Sequence, residues 1–142
     1  MPAQDKYHDV VVKALTEEGW TITDDPFRLT YGNKRLWVDL GAERETLAAE
    51  KGSERIAVEI KSFVRHSEIE DLEKAIGQHN LYRDVLDELE PDRILFLAIP
   101  WRAYDGIFSE KIGRLVLRKQ RINLMVFDEL QERISEWIPQ PH

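Results

Sequence analysis

The stretch Arg55-Ile56-Ala57-Val58-Glu59-Ile60-Lys61-Ser62-Phe63 alternates between aliphatic and other side chains. This period of two predicts a β-strand whose aliphatic residues point to one face. Glu59 and Lys61 then share the opposite face, so a carboxylate and an ammonium group lie side by side on a strand apolar enough to be buried.

A second strand, Leu36-Trp37-Val38-Asp39-Leu40, precedes this one and ends in another acid. Asp39 is expected to approach Glu59, and two carboxylates beside Lys61 in a partly buried pocket are costly unless a divalent cation lies between them. The pattern therefore favours a metal site for phosphodiester hydrolysis. The alternative is a solvated ion pair, which is typical of an isolated Glu-x-Lys.

The composition is that of a single globular domain spanning residues 1–142, with 42% hydrophobic residues and no cysteine. The absence of cysteine excludes disulfides and thiolate metal sites. The first residues lack an apolar signal core, and no apolar run approaches membrane-spanning length. A cytoplasmic protein is expected.

The charge is unevenly distributed along the chain. A net charge of −7 argues against non-specific affinity for nucleic acid. The segment 111–121, however, holds five basic residues and no acid. We predict a helix there whose other side carries Ile112, Leu115 and Val116. Its candidate phosphate contacts are Lys111, Arg114, Arg118 and Arg121. The alternative is the solvated side of an amphipathic helix.

Hydrophobic periodicity and turn residues predict an ordered series of elements. These are a helix over 5–18, strands over 20–23, 27–31 and 34–40, a hairpin of strands 46–51 and 54–61, a helix from Ser67 to Pro91, a strand over 94–99, a short helix or structured loop over 101–108, a helix over 111–121, a strand over 122–127 and a last helix over 129–137. The packing face of the long helix is predicted to comprise Ile69, Leu72, Ile76, Tyr82, Val85, Leu86 and Leu89. The order indicates a three-layer α/β/α domain with a mixed central sheet.

The order of the elements around Asp39 and Glu59-Ile60-Lys61 resembles the PD-(D/E)xK nucleases, which have the restriction-endonuclease-like fold. Val38 stands where that family usually has proline. Gln78 and Tyr82 also resemble the QxxxY signature of the RecB-like branch. Their alternative is ordinary helix surface and core, because such spacing arises readily on helices.

The resemblance implies that Asp39, Glu59 and the carbonyl of Ile60 hold one Mg²⁺ or Mn²⁺, with waters completing the coordination. Many members carry a metal-binding glutamate on the first helix, and the corresponding residue here is His8. This histidine is a further candidate ligand. Packing or capping is the alternative role for a lone histidine on a helix.

The resemblance also implies roles for residues that do not bind the metal. Lys61 would orient the attacking water or stabilise developing negative charge. Gln78 and Tyr82 would position the DNA backbone or the lysine. Glu43 and Glu50 lie near the same strands, and a solvated face is expected for both.

Nearly the whole chain resembles a narrower family, XisH, the excision controlling factors of cyanobacterial DNA elements. The segments that carry this resemblance are Asp5–His8, Gly19–Pro26, Ala48–Lys51, Ile56–Phe63 and Val126–Asp128. It implies a role in programmed excision of DNA alongside a site-specific recombinase and a small companion protein, XisI. It also suggests a homodimer, in which Trp137 and Ile138 either form a subunit contact or cover the domain's own core.

Two main functions follow from these observations. One is a metal-dependent DNA endonuclease acting in excision, and the other is a catalytically silent nuclease-like domain that binds DNA or a partner. A third, an unrelated small-molecule-binding α/β domain, is disfavoured because the chain has no glycine-rich phosphate loop.

Overall fold

The computed structural model describes residues 4–45, 53–64 and 67–139. The predicted strand over 46–51, the segment Ala48–Lys51 and Glu50 lie outside these ranges. Within them the helices are α1 (His8–Glu17), α2 (Glu68–Leu89), α3 (Trp101–Asp105) and α4 (Lys111–Lys119), with a 3-10 turn at Ile107–Ser109. The strands are β1 (Thr21–Asp24), β2 (Phe27–Tyr31), β3 (Lys34–Val38), β4 (Leu40–Glu45), β5 (Ser53–Ile60), β6 (Arg93–Pro100), β7 (Leu124–Asp128) and β8 (Arg133–Ile138).

Six of these strands form one mixed sheet in the order β1-β4-β5-β6-β7-β8. Strands β5, β6 and β7 run parallel, and the outer pairs are antiparallel. The apolar run of β6 occupies a central position, as expected of a strand covered on both faces. The predicted mixed sheet is therefore confirmed.

Helices cover both faces of the sheet, and the alternation of β5 decides which residues meet them. Ile56 and Val58 pack with Val11 of α1 in one core cluster. Ala57 faces the other way and packs with Leu86 of α2. The face that the sequence assigned to Glu59 is thus the one covered by α2.

The hairpin of β2 and β3 stands apart from the main sheet as a two-stranded ribbon. Its turn is made at Gly32, whose φ of +60° is unfavourable for residues with a side chain. The predicted strand over 34–40 is divided at Asp39, because Val38 pairs with Phe27 of the hairpin whereas Leu40 pairs with Val58 of the main sheet. Asp39 therefore lies at the junction of two sheets.

The predicted last helix over 129–137 is wrong, because the chain returns there as strand β8. Asp128 accepts hydrogen bonds from the backbone N–H groups of Leu130 and Gln131, at 2.8 and 2.9 Å, and so forms the turn. Trp137 then packs edge-on against Phe96 and is 6% exposed. It covers the domain's own core.

The long helix begins where it was predicted, since the Ser67 side chain accepts a hydrogen bond from the backbone N–H of Glu70 at 3.3 Å. Its packing face differs from the prediction. Ala75 and His79 are buried, whereas Ile69 and Leu89 are exposed. No helix among the described residues is both long and apolar enough to span a membrane.

The buried side of α4 also differs from the prediction. Gly113 and Val116 face the core, whereas Ile112 and Leu115 are each 42% exposed. A Cβ at position 113 would lie 2.5 Å from the Cα of Phe108, so only glycine permits this approach of helix and turn. Close packing at one glycine, rather than the apolar stripe, sets the orientation of α4.

Candidate functional site

A pocket of about 170 Å³ opens at the end of β5, between the main sheet, the β2–β3 hairpin and α2. Its lining comprises Asp5, Trp37, Asp39, Glu59, Ile60, Lys61, Gln78 and Tyr82. The structure thus gathers around one pocket all five residues predicted to be catalytic, together with Ile60. Their proposed roles remain predictions.

Asp39 is held in place by the strand that carries its partner acid. Its Oδ2 atom accepts a hydrogen bond of 2.7 Å from the backbone N–H of Ile60. This contact ties the junction between β3 and β4 to the end of β5. It also brings the Asp39 carboxylate within hydrogen-bonding range of the Glu59 side chain.

Glu59 lies on β5 opposite Leu97 of the central strand and is 7% exposed. Burial and the neighbouring Asp39 carboxyl raise the pKa of Glu59 to about 10, against the opposing effects of Lys61 and the Ile60 N–H. Its Oε2 atom is buried and has no hydrogen-bond partner among the described residues. A buried acid with an unsatisfied oxygen is costly, which is characteristic of a binding site.

The segment after β5 is fixed from both sides, which positions Lys61. The backbone N–H of Lys61 donates to the carbonyl of Ala98 at 3.0 Å, and Asp5 Oδ2 accepts from the N–H of Ser62 at 3.2 Å. Arg102 donates to the carbonyls of Ser62 and Phe63 at 2.8 and 3.1 Å. Lys61 is therefore presented by a backbone that is hydrogen-bonded at successive residues.

Helix α2 supplies the other wall of the pocket through Gln78 and Tyr82. The two residues are one helical turn apart, so their side chains share a face. The Oε1 atom of Gln78 is buried and has no partner in the described parts of the chain. Burial, and then the charges of Glu59 and Asp39, raise the pKa of Tyr82 to about 12, so its hydroxyl remains a hydrogen-bond donor at neutral pH.

Sequence reasoning missed two lining residues, Asp5 and Trp37. Asp5 precedes α1, and it belonged to a segment that carried the XisH resemblance without being assigned a role. Trp37 is half-buried two residues before Asp39 in a strand of alternating polarity. Residues two apart in a strand share a face, so this spacing already placed Trp37 beside Asp39 and could have identified it.

His8 is not among the described residues that line this pocket. The side chain is buried, and its Nε2 atom is 2.9 Å from Oδ1 of Asp25, in the turn before β2. The structure therefore shows a packing and hydrogen-bonding role for His8. Asp5 is the residue from the start of the chain that lines the pocket.

The basic side chains predicted to contact phosphate are exposed along α4 and just after it, at Lys111, Arg114, Arg118 and Arg121. They are not adjacent to the pocket, because α4 lies on the other flank of α2. Asn80 and Arg83 bind Gln120 at the end of α4, whereas Gln78 and Tyr82 face the pocket. Glu43 lies in β4 and lines a different depression, with Arg44 and Ser53.

No group of three or more histidine, aspartate or glutamate side chains within 4–45, 53–64 and 67–139 is arranged to hold a metal ion. The two carboxyl groups that meet in the pocket are those of Asp39 and Glu59, whereas the third lining acid, Asp5, accepts hydrogen bonds from the backbone N–H groups of Tyr7 and Ser62. Any cation bound there would have to take its remaining ligands from backbone carbonyls, water or substrate.

The fold and the site define a mixed α/β domain with two carboxylates and a lysine at the edge of its parallel strands. The family model described as "XisH protein" matches residues 1–135, so the chain belongs to the XisH family. No curated protein matches it significantly.

Two solved structures resemble the chain over nearly its whole length. The crystal structure of an XisH family protein from Nostoc punctiforme PCC 73102 is 36% identical, with a TM-score of 0.85, covering 94% of this chain and 98% of that one. The structure of an fdxN element excision controlling factor protein from Anabaena variabilis is 38% identical, with a TM-score of 0.85, covering 95% and 99%.

Proposed function

We propose that this protein is a metal-dependent DNA endonuclease that acts in the excision of a DNA element, on a restriction-endonuclease-like fold. The observation that carries the proposal is the pairing of Asp39 and Glu59 in one pocket with Lys61. Acids and a lysine in this order and on these elements resemble the PD-(D/E)xK arrangement, which supports the proposal. The controlling-factor description of the Anabaena variabilis relative supports the biological setting.

The residues present suit a hard divalent cation. Glu59 is buried beside a second acid, and one of its oxygens has no hydrogen-bond partner among the described residues. A cation between the two carboxylates would offset their mutual repulsion and bind the unsatisfied oxygen. Mg²⁺ commonly binds through one or two carboxylates and keeps several waters, so a two-acid site is sufficient. Asp39, Glu59 and the Ile60 carbonyl would hold the ion.

A bound Mg²⁺ or Mn²⁺ would supply an activated water and neutralise charge on the scissile phosphate. Lys61, fixed by the hydrogen bonds around it, would orient that water or stabilise developing charge on a phosphate oxygen. Gln78 has a free buried acceptor, and Tyr82 keeps its proton. Both can hydrogen-bond to Lys61 or the DNA backbone.

A second function is a catalytically silent control factor that uses the same fold to bind DNA or a partner. The net charge of −7 and the placement of His8 outside the pocket favour it. In either case the family resemblance implies action with a site-specific recombinase and an XisI-like companion protein, and it suggests a homodimer.

Cleavage of supercoiled plasmid separates the two functions. The wild type is incubated with Mg²⁺ or Mn²⁺ beside Lys61→Met and a control, Lys74→Met, which removes an exposed lysine from α2. The endonuclease proposal predicts metal-dependent nicking that Lys61→Met lowers at least about 100-fold, comparable to the loss of one preorganised charge-stabilising donor. Lys74→Met should cleave as the wild type does. No cleavage by folded wild type would favour the silent control factor, whereas equal cleavage by wild type and Lys61→Met would contradict the assignment of catalysis to this pocket.

A further inference from the structure

The β2–β3 hairpin presents a basic face away from the core. Arg28 pairs across the strands with Trp37, and Thr30 pairs with Arg35. Directly paired residues lie on the same side of a ribbon, so these four side chains form one surface, here called the outer face. On the opposite side, Phe27, Leu29 and Val38 pack on the domain core.

The outer face is positive in a chain that is negative overall. The outer face carries Arg28 and Arg35, and residues 27–38 contain no acid. Arg28 and Arg35 are exposed and form no ion pair within the described ranges. Other arginines are neutralised, for example Arg44 by Glu54 at 3.2 Å. The guanidinium groups of the outer face are therefore available to a ligand.

This surface leads directly into the proposed active site. Trp37 belongs to the outer face and also lines the pocket, and Asp39 follows it two residues later. The basic residues of α4 are also unpaired in the described chain, but α2 stands between them and the pocket. Of the two basic surfaces, only the hairpin is continuous with the paired carboxylates.

The hairpin is also held firmly against the domain. Phe27 and Leu29 are buried in the cluster that contains Leu86 of α2. The Tyr31 hydroxyl donates to Glu88 of α2 at 3.5 Å, on the side opposite the outer face. The arginines therefore project from a supported ribbon, which lowers the entropic cost of fixing them on a ligand.

We propose that the outer face of the β2–β3 hairpin binds the phosphate backbone of DNA and guides one strand into the pocket. Arg28 and Arg35 are diagonal neighbours, about 7–8 Å apart, and would contact separate phosphates on the strand. Trp37 would pack against the nucleotide beside the scissile bond. The assignment of a scissile bond rests on the proposed endonuclease function, whereas the binding of phosphate by the two arginines does not.

The test measures DNA affinity in EDTA, so that cleavage contributes nothing. Fluorescently labelled single-stranded and duplex oligonucleotides are titrated with wild type, with Arg28→Ala/Arg35→Ala and with Arg114→Ala/Arg118→Ala. The two double variants remove the same number of positive charges, one pair from the hairpin and one from α4. Circular dichroism establishes that each variant is folded.

The hairpin double variant is expected to bind duplex about tenfold more weakly at 0.1–0.2 M salt. The logarithm of its binding constant should fall less steeply with the logarithm of salt concentration, by about two units of slope, because each phosphate contact contributes about one unit. The α4 double variant should keep the wild-type slope. The same comparison with the single strand shows which form of DNA the outer face prefers.

Trp37→Ala is a second test, and this variant is expected to bind single-stranded DNA roughly fivefold or more weakly than the wild type. The proposal is overturned if the hairpin variant keeps the wild-type affinity and slope, if the α4 variant alone loses them, or if folded wild type binds neither DNA at low salt. A protein that binds through the hairpin but cleaves nothing would support this inference and refute the endonuclease function.

Discussion

The stability of the metal-free protein should fall with rising pH because of Glu59, and Glu59→Gln should remove that dependence. Glutamine has the shape of a protonated glutamate and can still donate a hydrogen bond to Asp39. It has no charge to lose, however. The variant therefore reproduces the neutral form that the folded protein prefers and isolates the cost of ionising this one buried side chain.

The magnitude follows from the two pKa values. The pKa of Glu59 rises from 4.5 to about 10 on folding, so the folded state holds the proton more tightly than the unfolded chain. The stabilisation is complete below pH 4.5 and is lost progressively as pH rises towards 10. At up to 1.4 kcal/mol per pH unit, the loss by pH 7 is about 3 kcal/mol.

Urea unfolding of wild type and Glu59→Gln in EDTA, between pH 4.5 and 9, measures this difference directly. The free energies of unfolding should be similar at pH 4.5 and diverge as pH rises, with the variant more stable by about 3 kcal/mol at pH 7. Adding Mg²⁺ should stabilise the wild type and leave the variant unchanged. Parallel curves for the two proteins would refute the assignment of Glu59 as a buried, proton-binding partner of Asp39.

Three further outcomes follow from other parts of the molecule. Burial lowers the pKa of His79 from 6.5 to about 4, so the neutral imidazole stabilises the folded protein above pH 6.5. The free energy of unfolding should fall by up to about 3 kcal/mol as pH drops to 4, and His79→Leu should remove this pH dependence in urea titrations. Gly113→Ala should lower the free energy of unfolding by about 1–3 kcal/mol through its clash with Phe108, whereas Gly77→Ala, with open space around it, should raise it by about 0.5–1 kcal/mol. Arg102→Ala should speed amide hydrogen exchange in the segment after β5 and leave α1 unchanged, and equal exchange in both would contradict its positioning role.

Much of the fold follows from local periodicity. The alternation of β5 correctly predicts which face carries Glu59, because a slip of one residue would move Glu59 onto the face on which Ile56 and Val58 pack against α1. Ser67 correctly marks the start of α2, since its side chain satisfies a backbone N–H that no helical carbonyl can reach. These features depend on neighbours within a few residues.

The errors lie where distant contacts override the local pattern. The sequence pattern over 129–137 predicts a helix. In the structure Trp137 packs against Phe96, and the turn formed by Asp128 reverses the chain into a strand. The orientation of α4 depends on the space left by Phe108 around Gly113. Neither constraint is visible in the residues of the element itself.

The candidate site shows the same division. Asp39, Glu59 and Lys61 could be predicted because their spacing on strands places them on shared faces. Asp5 and Trp37 could not, because the first reaches the pocket from outside any regular element and the second through a hairpin detached from the main sheet. The predicted phosphate contacts on α4 lie away from this pocket, on the other flank of α2, and their role stays a prediction.

Calorimetric titration of Mg²⁺ and Mn²⁺ into the wild type, Glu59→Gln and Asp39→Asn measures whether Asp39 and Glu59 hold a metal ion. We expect one ion per chain for the wild type and none in this site for either variant. At pH 7 binding should release close to one proton from Glu59, seen as a dependence of the heat on the buffer's ionisation enthalpy. No binding by folded wild type, or binding that Glu59→Gln leaves unchanged, would contradict the assignment of Asp39 and Glu59 as metal ligands.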